Sequence, residues 1–512
     1  MSGIVPNAVR GSARNDRTAI LVGAVLVLAC AAFMFVDRHV PPLILWDESR
    51  LAVNALEMHQ RGWSLVTTYG FEPDHWNTKP PLMIWLMNAS VSVFGPSELA
   101  LRFPAMLAAL ATIAIVFVFT RRVSHSTWTA VLAALLLAGS VGFYGEHGAR
   151  TADYDALLCF FTTAYLTVFY FAVHRRRPGM RHLLLAGVLV AGATMTKTTA
   201  GLVPGVGVAL YLAVSGRLHR AYTTPRYFML LLLALLPLVA FYLARERLAP
   251  GYLEAVWHND FSGRFRDKLV RQGGPPWYYV QLLFRDGLFS AGPLALLAPL
   301  GLAGAKGQTR QGLVFALCCF FGQLAVVSIT ATRLIQYILP ALPWLAIACA
   351  LTVKARLPRF LGYSALQRPS WSKLILPLAL VTVAIVNIGV RTAVMRYDLL
   401  LGRAYYPQAG YGALFTSLRE RGVGRLAVLE PGFAGGGVTN YQPQFDYYAL
   451  LWRTRGMTIS RIEKLPLQRS PMVTASCNPD LGGALRARGA YTVGSFGCVA
   501  TNLPVSLARS TE

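Results

Sequence analysis

The stretch Trp46–Leu82, WDESRLAVNALEMHQRGWSLVTTYGFEPDHWNTKPPL, is polar and charged, and strongly apolar runs flank it on both sides. It opens on adjacent carboxylates, Asp47 and Glu48, and carries Arg50 one turn on. It closes with Lys79 before Pro80 and Pro81, where the chain turns apolar again. A charged segment between runs long enough to cross a bilayer is a loop at a membrane surface, and that reading decides the fold class: an α-helical polytopic membrane protein. Composition agrees. Of 512 residues 55% are hydrophobic and 14% charged, with mean hydropathy +0.47, too apolar for an ordinary soluble domain. A bilayer core of about 30 Å takes roughly 20 apolar residues per helix, and such runs recur along most of the chain.

The formal charge of +25 belongs to the same setting, because Lys and Arg concentrate in cytoplasmic loops and attract anionic headgroups. It is no ground for expecting nucleic acid as a partner. Arg10, Arg14 and Arg17 precede the run Thr18–Val36, which is long for a signal-peptide core and lacks an evident cleavage site. We read an uncleaved first span with its N-terminus inside, which puts the loop 37–82 outside. Spans over Leu99–Thr120, Thr129–Tyr144 and Ala156–Val173 leave Arg121 and Arg122 inside, EHGARTADYD (146–155) outside and the basic HRRRPGMRH (174–182) inside. Leu183–Val214, interrupted by KTTAG at 197–201, reads as two short crossings. Further spans are expected over Tyr227–Ala244, Tyr278–Leu302, Leu313–Thr330, Tyr337–Val353 and Leu374–Val390, with a long outer loop at 245–276. The total is about eleven spans under the twenty-residue rule.

Residues 1–395 therefore form the transmembrane domain. From about Tyr405 the pattern changes to alternating helix-like and strand-like runs: SLRERG then RLAVLE, YYALLWRTRG then MTISRI, LGGALRARG then AYTVGSF. This predicts a small α/β extramembrane domain over 405–512. Neither a GxGxxG fingerprint nor a Walker loop occurs in it. Five of the seven cysteines lie in or beside apolar runs; Cys477 and Cys498 stand in the polar C-terminal region, where a Cys477–Cys498 disulfide suits an oxidising compartment.

On the expected outer face Asp47, Glu48, Arg50, Lys79, Glu146, His147, Arg150, Asp153, Asp155, His258, Asp260, Arg264 and Arg333 lie close to apolar runs. Helix capping accounts for Asp47 and Glu48 taken alone. Each ionisable group at membrane depth costs roughly 2.5 to 3.5 kcal/mol, however, so a dense set of them points to function. One chemistry that uses both signs is sugar transfer from a lipid phosphate: a carboxylate takes the acceptor's proton while cations neutralise the departing phosphate.

WDESR followed by a helix and KPPL, then GPSELALRFPA, ARTADYDALL, WHNDFSGRF, PPWYY and RLIQYILPALP, resembles the polytopic GT-C glycosyltransferases of the aminoarabinose transferase and protein O-mannosyltransferase superfamily, across most of residues 40–345. The first-loop DE and the KPPL boundary are the specific signals. The resemblance implies an inverting transferase that takes its sugar from a polyprenyl-monophosphate donor and passes it to a lipid, glycan or protein acceptor of the cell envelope. The site and the C-terminal domain would face the outside of a bacterial-type inner membrane. By the same resemblance Asp47 is the catalytic base and Asp155 positions the acceptor or shares the proton work, with Asp153 its substitute should the register differ. Arg50, Lys79, Arg333 and Tyr337 match positions that hold donor phosphate. Glu48, Asp153 and Arg264 could shape the site, and His258 and Asp260 could bind a metal or shape the site, although a single His in an aromatic loop is usually structural. Lys197 is open between snorkelling at a span end and a role there. Relatives commonly carry Glu before Lys-Pro-Pro where this chain has Thr78, so a divalent metal is left open and no metal ligand is assigned. Two other readings stand beside this one. One is a transporter or flippase of lipid-linked sugar, although no internal repeat is evident. The other is a scaffold whose aromatic, basic segment YQPQFDYYALLWRTR (441–455) binds a glycan.

Overall fold

The computed structural model describes residues 7–35, 43, 47–175, 179–218, 225–262, 274–360, 382, 386, 389, 410–435, 438–464, 472–493 and 497–502. Arg264 and the expected span Leu374–Val390, apart from residues 382, 386 and 389, lie outside the described residues. The chain divides into two compact units that do not follow its order: 1–37, 74–83 and 104–392 form the first, and 38–73, 84–103 and 393–512 the second. Most of the loop 37–82 is thus grouped with the C-terminal segment.

Among the described residues, six stretches are long and apolar enough to cross a membrane. They are helix α4 (Glu98–Ser124), α6 (Tyr154–Val173), Met180–Gly201, Met229–Leu248, α10 (Gly307–Ile329) and Ile335–Arg356. Shorter apolar helices are Arg17–Ala32 within α1 (Asn7–Phe35), α3 (Leu82–Phe94), α5 (Thr127–Ala138), α8 (Gly205–Val214) and a 3₁₀ helix at Gly292–Ala303. The remaining long helices are α2 (Asp47–Arg61), α7 (Met180–Lys197), α9 (Pro225–Leu248) and α11 (Leu342–Phe360).

The expected break at KTTAG is present: α7 ends at Lys197, a 3₁₀ turn covers Thr198–Gly201, and α8 begins at Gly205. Thr198 holds φ +44° there, a strained conformation for a β-branched residue. Two expected spans are less regular than composition implied. Thr129–Tyr144 is α5 followed, after Gly139 and Ser140, by the single turn Val141–Tyr144. Tyr278–Leu302 is a short helix at Tyr278–Val280, a π turn at Gln281–Arg285 and the 3₁₀ helix. The charges Arg285 and Asp286, the positive-φ residues Gly287 and Gly292, and Pro293 and Pro299, which lack an amide N–H, prevent a continuous α-helix there.

In the first unit α6 packs on α7, α8 on α10, and α11 on α5 and α10. Edge-on aromatic contacts tie four helices together: Phe119 of α4 meets Tyr170 of α6 (5.0 Å between centroids) and Trp344 of α11 (5.4 Å), and Phe315 of α10 meets Trp344 at 5.2 Å. The α8–α10 crossing depends on glycine, since a Cβ at Gly207 would stand 2.5 Å from Cys319 Cα.

The second unit contains the α/β fold. Helices α12 (Tyr411–Glu420), α13 (Pro443–Thr454) and α14 (Pro479–Arg486) alternate with strands of a five-stranded sheet. Ahead of these in the chain is the short antiparallel pair β1 (Thr68–Tyr69) and β2 (Glu72–Pro73). Strand β3 (Arg425–Leu429) lies parallel between β6 (Thr458–Ile462) and β7 (Val473–Ser476); β9 (Val499–Thr501) runs antiparallel to β7 and to the edge strand β8 (Tyr491–Thr492). The antiparallel pair β4 (Phe433–Gly435) and β5 (Val438–Tyr441) precedes α13. Leu429, Leu485 and Val499 form a core cluster under the sheet. Cys477 and Cys498 are joined by a disulfide, with Cα atoms 4.1 Å apart, which links the end of β7 to the start of β9.

Candidate active site

In the first unit a cavity of about 120 Å³ is lined by Lys79, Asp155, Lys197, Asp260, Gln323, Thr332, Gln336 and Tyr337 among others. Each is delivered by a local feature of the chain. Asp155 lies in the first turn of α6, where a carboxylate is favoured by the helix dipole, and Asp153 caps that helix by accepting from Tyr154 N at 2.6 Å. Lys197 sits where α7 breaks. Its Nζ lies 2.8 and 2.7 Å from the two carboxylate oxygens of Asp155, 42 residues away in the chain, and both side chains are buried. The Lys197 ammonium also stands 5.9 Å from the centre of the Tyr337 ring.

Lys79 is carried by a segment fixed at nearly every residue. Asp74 Oδ1 accepts from the amides of Trp76 and Asn77 at 3.1 and 3.2 Å. Asn77 Oδ1 accepts from Tyr154 O–H at 2.9 Å, and Thr78 O accepts from Tyr252 O–H at 2.8 Å. Pro80 and Pro81 then pre-set the backbone leading into α3. Lys79 Nζ is thereby held 3.8 Å from Asp260 Oδ1. Gln323, which also lines the cavity, donates from Nε2 to Tyr337 O at 2.8 Å. Gln323 Oε1 and Thr332 Oγ1 are buried with no hydrogen-bond partner among the described residues; a buried acceptor left in this state is costly unless a ligand or water completes it.

The structure therefore brings Lys79, Asp155, Asp260 and Tyr337 to one cavity, together with Lys197. The other expected residues are held differently. Arg333 gives its Nη1 to Gly274 O and its Nη2 to Ser328 O at 3.0 Å, and is not among the cavity's lining residues. Asp153 is ion-paired to His147. Burial alone would push the Asp153 carboxyl up, but the charge and hydrogen bond of His147, with the charge of Lys197, hold it below the usual range. His258 is 67% exposed and pairs with Glu254 at 3.8 Å. Asp47, exposed at the start of α2, Glu48 and Arg50 belong to the second unit. Glu48 is buried there in a bidentate pair with Arg102, at 2.7 and 3.0 Å, and Arg50 stacks over the rings of Tyr69 and Tyr441 at 4.5 and 5.3 Å.

The Thr78 hydroxyl accepts from Lys79 Nζ at 3.4 Å and carries no charge, and His258 is exposed. What the cavity offers is two ammonium groups, two carboxylates and amide and hydroxyl groups between apolar walls. Such a set can neutralise an oxyanion while a carboxylate accepts a proton. Sequence reasoning left Lys197 undecided and did not identify Gln323, Thr332 or Arg102. For Lys197 a signal existed, a lone cation at a break in an apolar run.

Taken together, the apolar helices, the α/β unit and the likeness to the solved structures of ArnT give the chain the polytopic GT-C membrane fold. The crystal structure of ArnT from Cupriavidus metallidurans bound to undecaprenyl phosphate superposes with a TM-score of 0.67 over 93% of this chain and 97% of that one, at 17% identity; its apo state gives 0.64. Residues 78–243 match the family described as dolichyl-phosphate-mannose-protein mannosyltransferase. Over 337 residues the chain is 28% identical to undecaprenyl phosphate-alpha-4-amino-4-deoxy-L-arabinose arabinosyl transferase 1 of Sodalis glossinidius, covering 64% of this chain and 59% of that protein. It is 26% identical over 370 residues to transferase 2 of Proteus mirabilis, covering 68% and 64%. The chain thus resembles the aminoarabinose transferases and protein mannosyltransferases, and it spans about three-fifths of the length of the curated relatives it matches.

Proposed function

We propose that the protein is an inverting glycosyltransferase that moves a sugar from a polyprenyl-monophosphate donor to an acceptor of the cell envelope, whether lipid A, a polysaccharide or a protein. The observation that carries this reading is that Lys79 and the buried Asp155–Lys197 pair line one cavity at the ends of membrane helices. In the reaction an acceptor hydroxyl oxygen attacks the anomeric carbon from the face opposite the phosphate. The bond from that carbon to the phosphate oxygen breaks, the hydroxyl proton passes to a carboxylate, and polyprenyl phosphate leaves. Lys79 and Lys197 supply positive charge as the phosphate gains its own. Asp155, held by Lys197, orients the acceptor. Asp47 is proposed as the base on the strength of the family resemblance. No step is routed through a metal.

Support for an outward-facing site comes from the basic segments 174–182 and 217–226, which fit the cytoplasmic side, and from the Cys477–Cys498 disulfide, which fits an oxidising compartment. The test uses purified protein in lipid nanodiscs with a pool of polyprenyl-phosphate sugars and envelope acceptors. The expected result is free polyprenyl phosphate in step with acceptor glycosylation, reduced about a thousandfold in Asp47→Asn. Movement of the lipid-sugar across vesicles with no transfer would establish the transporter reading instead, and wild-type turnover by Asp47→Asn would remove Asp47 from the mechanism.

A further inference from the structure

The segment 441–455, whose aromatic side chains could have formed a sugar platform, presents none of its tyrosines for that purpose. Tyr441, Phe445, Tyr447 and Tyr448 are 4%, 2%, 1% and 3% exposed. Tyr441 is turned onto Tyr69 and Arg50 of the first loop, Tyr448 onto Glu98 at the start of α4, and Phe445 onto Tyr411 and Phe415 of α12. Helix α13 packs along α2, and polar contacts tie α13 and its flanking residues to the segments before and after α2. Asp446 accepts from Tyr69 O–H, Gln444 Nε2 donates to Leu43 O at 2.5 Å, and Tyr448 O–H donates to Glu98, one turn before the Arg102 that grips Glu48. Arg455 donates to Pro96 O at 3.0 Å, and the Tyr441 ring stacks on Arg50. The remaining side of α2 is stapled by Asn54 Nδ2, which donates to Thr68 O at 2.5 Å, and by Glu57, which accepts from Thr68 Oγ1 at 2.6 Å and Phe71 N at 3.1 Å.

We propose that α13 of the C-terminal domain is a brace that orients the first-loop helix, and that Tyr69, Asp446 and Tyr448 are positioning residues for the transfer reaction. The inference rests on the reading above, in which Asp47 at the head of α2 takes the acceptor's proton. A base must be held within a fraction of an ångström of its task, and a misplacement of about 1 Å can cost on the order of a hundredfold in rate. A 15-residue helix in an outer loop has too little of its own stability to provide this, and the contacts with α13 fix both its rotation and its entry. The C-terminal domain thereby enters the chemistry through the first loop, not by binding a glycan.

The experiment compares Tyr69→Phe and Tyr448→Phe, each of which removes one hydroxyl, with wild type in nanodiscs, measuring donor turnover, acceptor KM and amide hydrogen exchange. The expected result is about a tenfold fall in kcat for each, acceptor KM within twofold of wild type, and faster exchange over 47–61 with 425–429 as protected as before. Asp446→Asn, which keeps an acceptor oxygen for the Tyr69 hydroxyl, restores the rate that Asp446→Leu loses. A raised acceptor KM at unchanged kcat, or unaltered exchange over 47–61, overturns the brace. A wild-type protein that releases no polyprenyl phosphate sinks the transferase reading, while exchange over 47–61 in the same samples separately decides whether the brace holds the helix.

Discussion

Glu48 with Arg102 and Asp155 with Lys197 are two buried carboxylate–cation pairs, one in each unit, closed by contacts of nearly equal length. Their surroundings differ. In the second unit a planar guanidinium matches both oxygens of Glu48, and nearby carboxylates are likewise taken up: Asp446 by Tyr69, Glu98 by Tyr448, Glu430 by Tyr411. In the first unit the partner is an ammonium, a point charge without a fixed fork. The pair lines a cavity that is also lined by Gln323 and Thr332, whose acceptor Oε1 and hydroxyl Oγ1 no described residue completes. A buried ion pair is therefore not by itself a sign of chemistry. What marks a site is hydrogen-bonding capacity left over on a wall that a ligand can reach.

The strongest way to break this comparison is to neutralise each pair as a unit. Asp155→Asn with Lys197→Met should lower release of polyprenyl phosphate about a thousandfold while the protein still folds. Glu48→Gln with Arg102→Met should leave turnover within about tenfold, because removing both partners of a buried pair is often nearly neutral. Equal losses from the two doubles, read by lipid chromatography, would erase the distinction. Breaking only one side of the structural pair should be worse for folding: Arg102→Met strands the Glu48 carboxylate and should cost roughly 3 to 5 kcal/mol, seen as a lower denaturant midpoint for the second unit. Replacing Cys477 and Cys498 by Ser should cost about 2 to 4 kcal/mol in the same measurement.

A subtler contrast lies in pH. Burial pushes the Asp446 carboxyl up to about 6 against the opposing Tyr69 hydrogen bond and the charges of Arg461 and Arg453. Its contribution to stability is therefore complete below about pH 4 and is lost as pH rises through 6. Asp153, held below its ordinary value, behaves in the opposite sense: its contribution is present above its unfolded pKa and is lost only as strong acid protonates it. Melting of the second unit should accordingly rise from pH 7 to pH 5, with Asp446→Asn flattening the slope. The smallest expected effect is that of chelation. With Thr78 in place of a carboxylate and His258 exposed, EDTA should leave turnover unchanged.

Much of this architecture could be read from local pattern. Polar WDESR and KPPL between apolar runs mark a loop, and the alternation from SLRERG to AYTVGSF matches α12 through β8 because helix and strand periodicities are properties of neighbouring residues. Pairing across the chain is not local. Glu48 meets Arg102 54 residues on and Asp155 meets Lys197 42 residues on, and no spacing rule distinguishes those partners from the other charges near the same face. Composition also overstated regularity at 278–302, where prolines and positive-φ glycines divide an apolar run into a π turn and a 3₁₀ helix. Aromatic residues at 441–448 looked suited to a sugar, and only their burial assigns them to packing.

The central claim is that the cavity of the first unit receives the phosphate of a polyprenyl lipid. Titration of polyprenyl phosphate into the wild-type protein and into Lys79→Met tests it most directly. We predict saturable binding that weakens at least about tenfold in Lys79→Met, the loss of one charge-assisted contact. Equal affinity in the two proteins would contradict it.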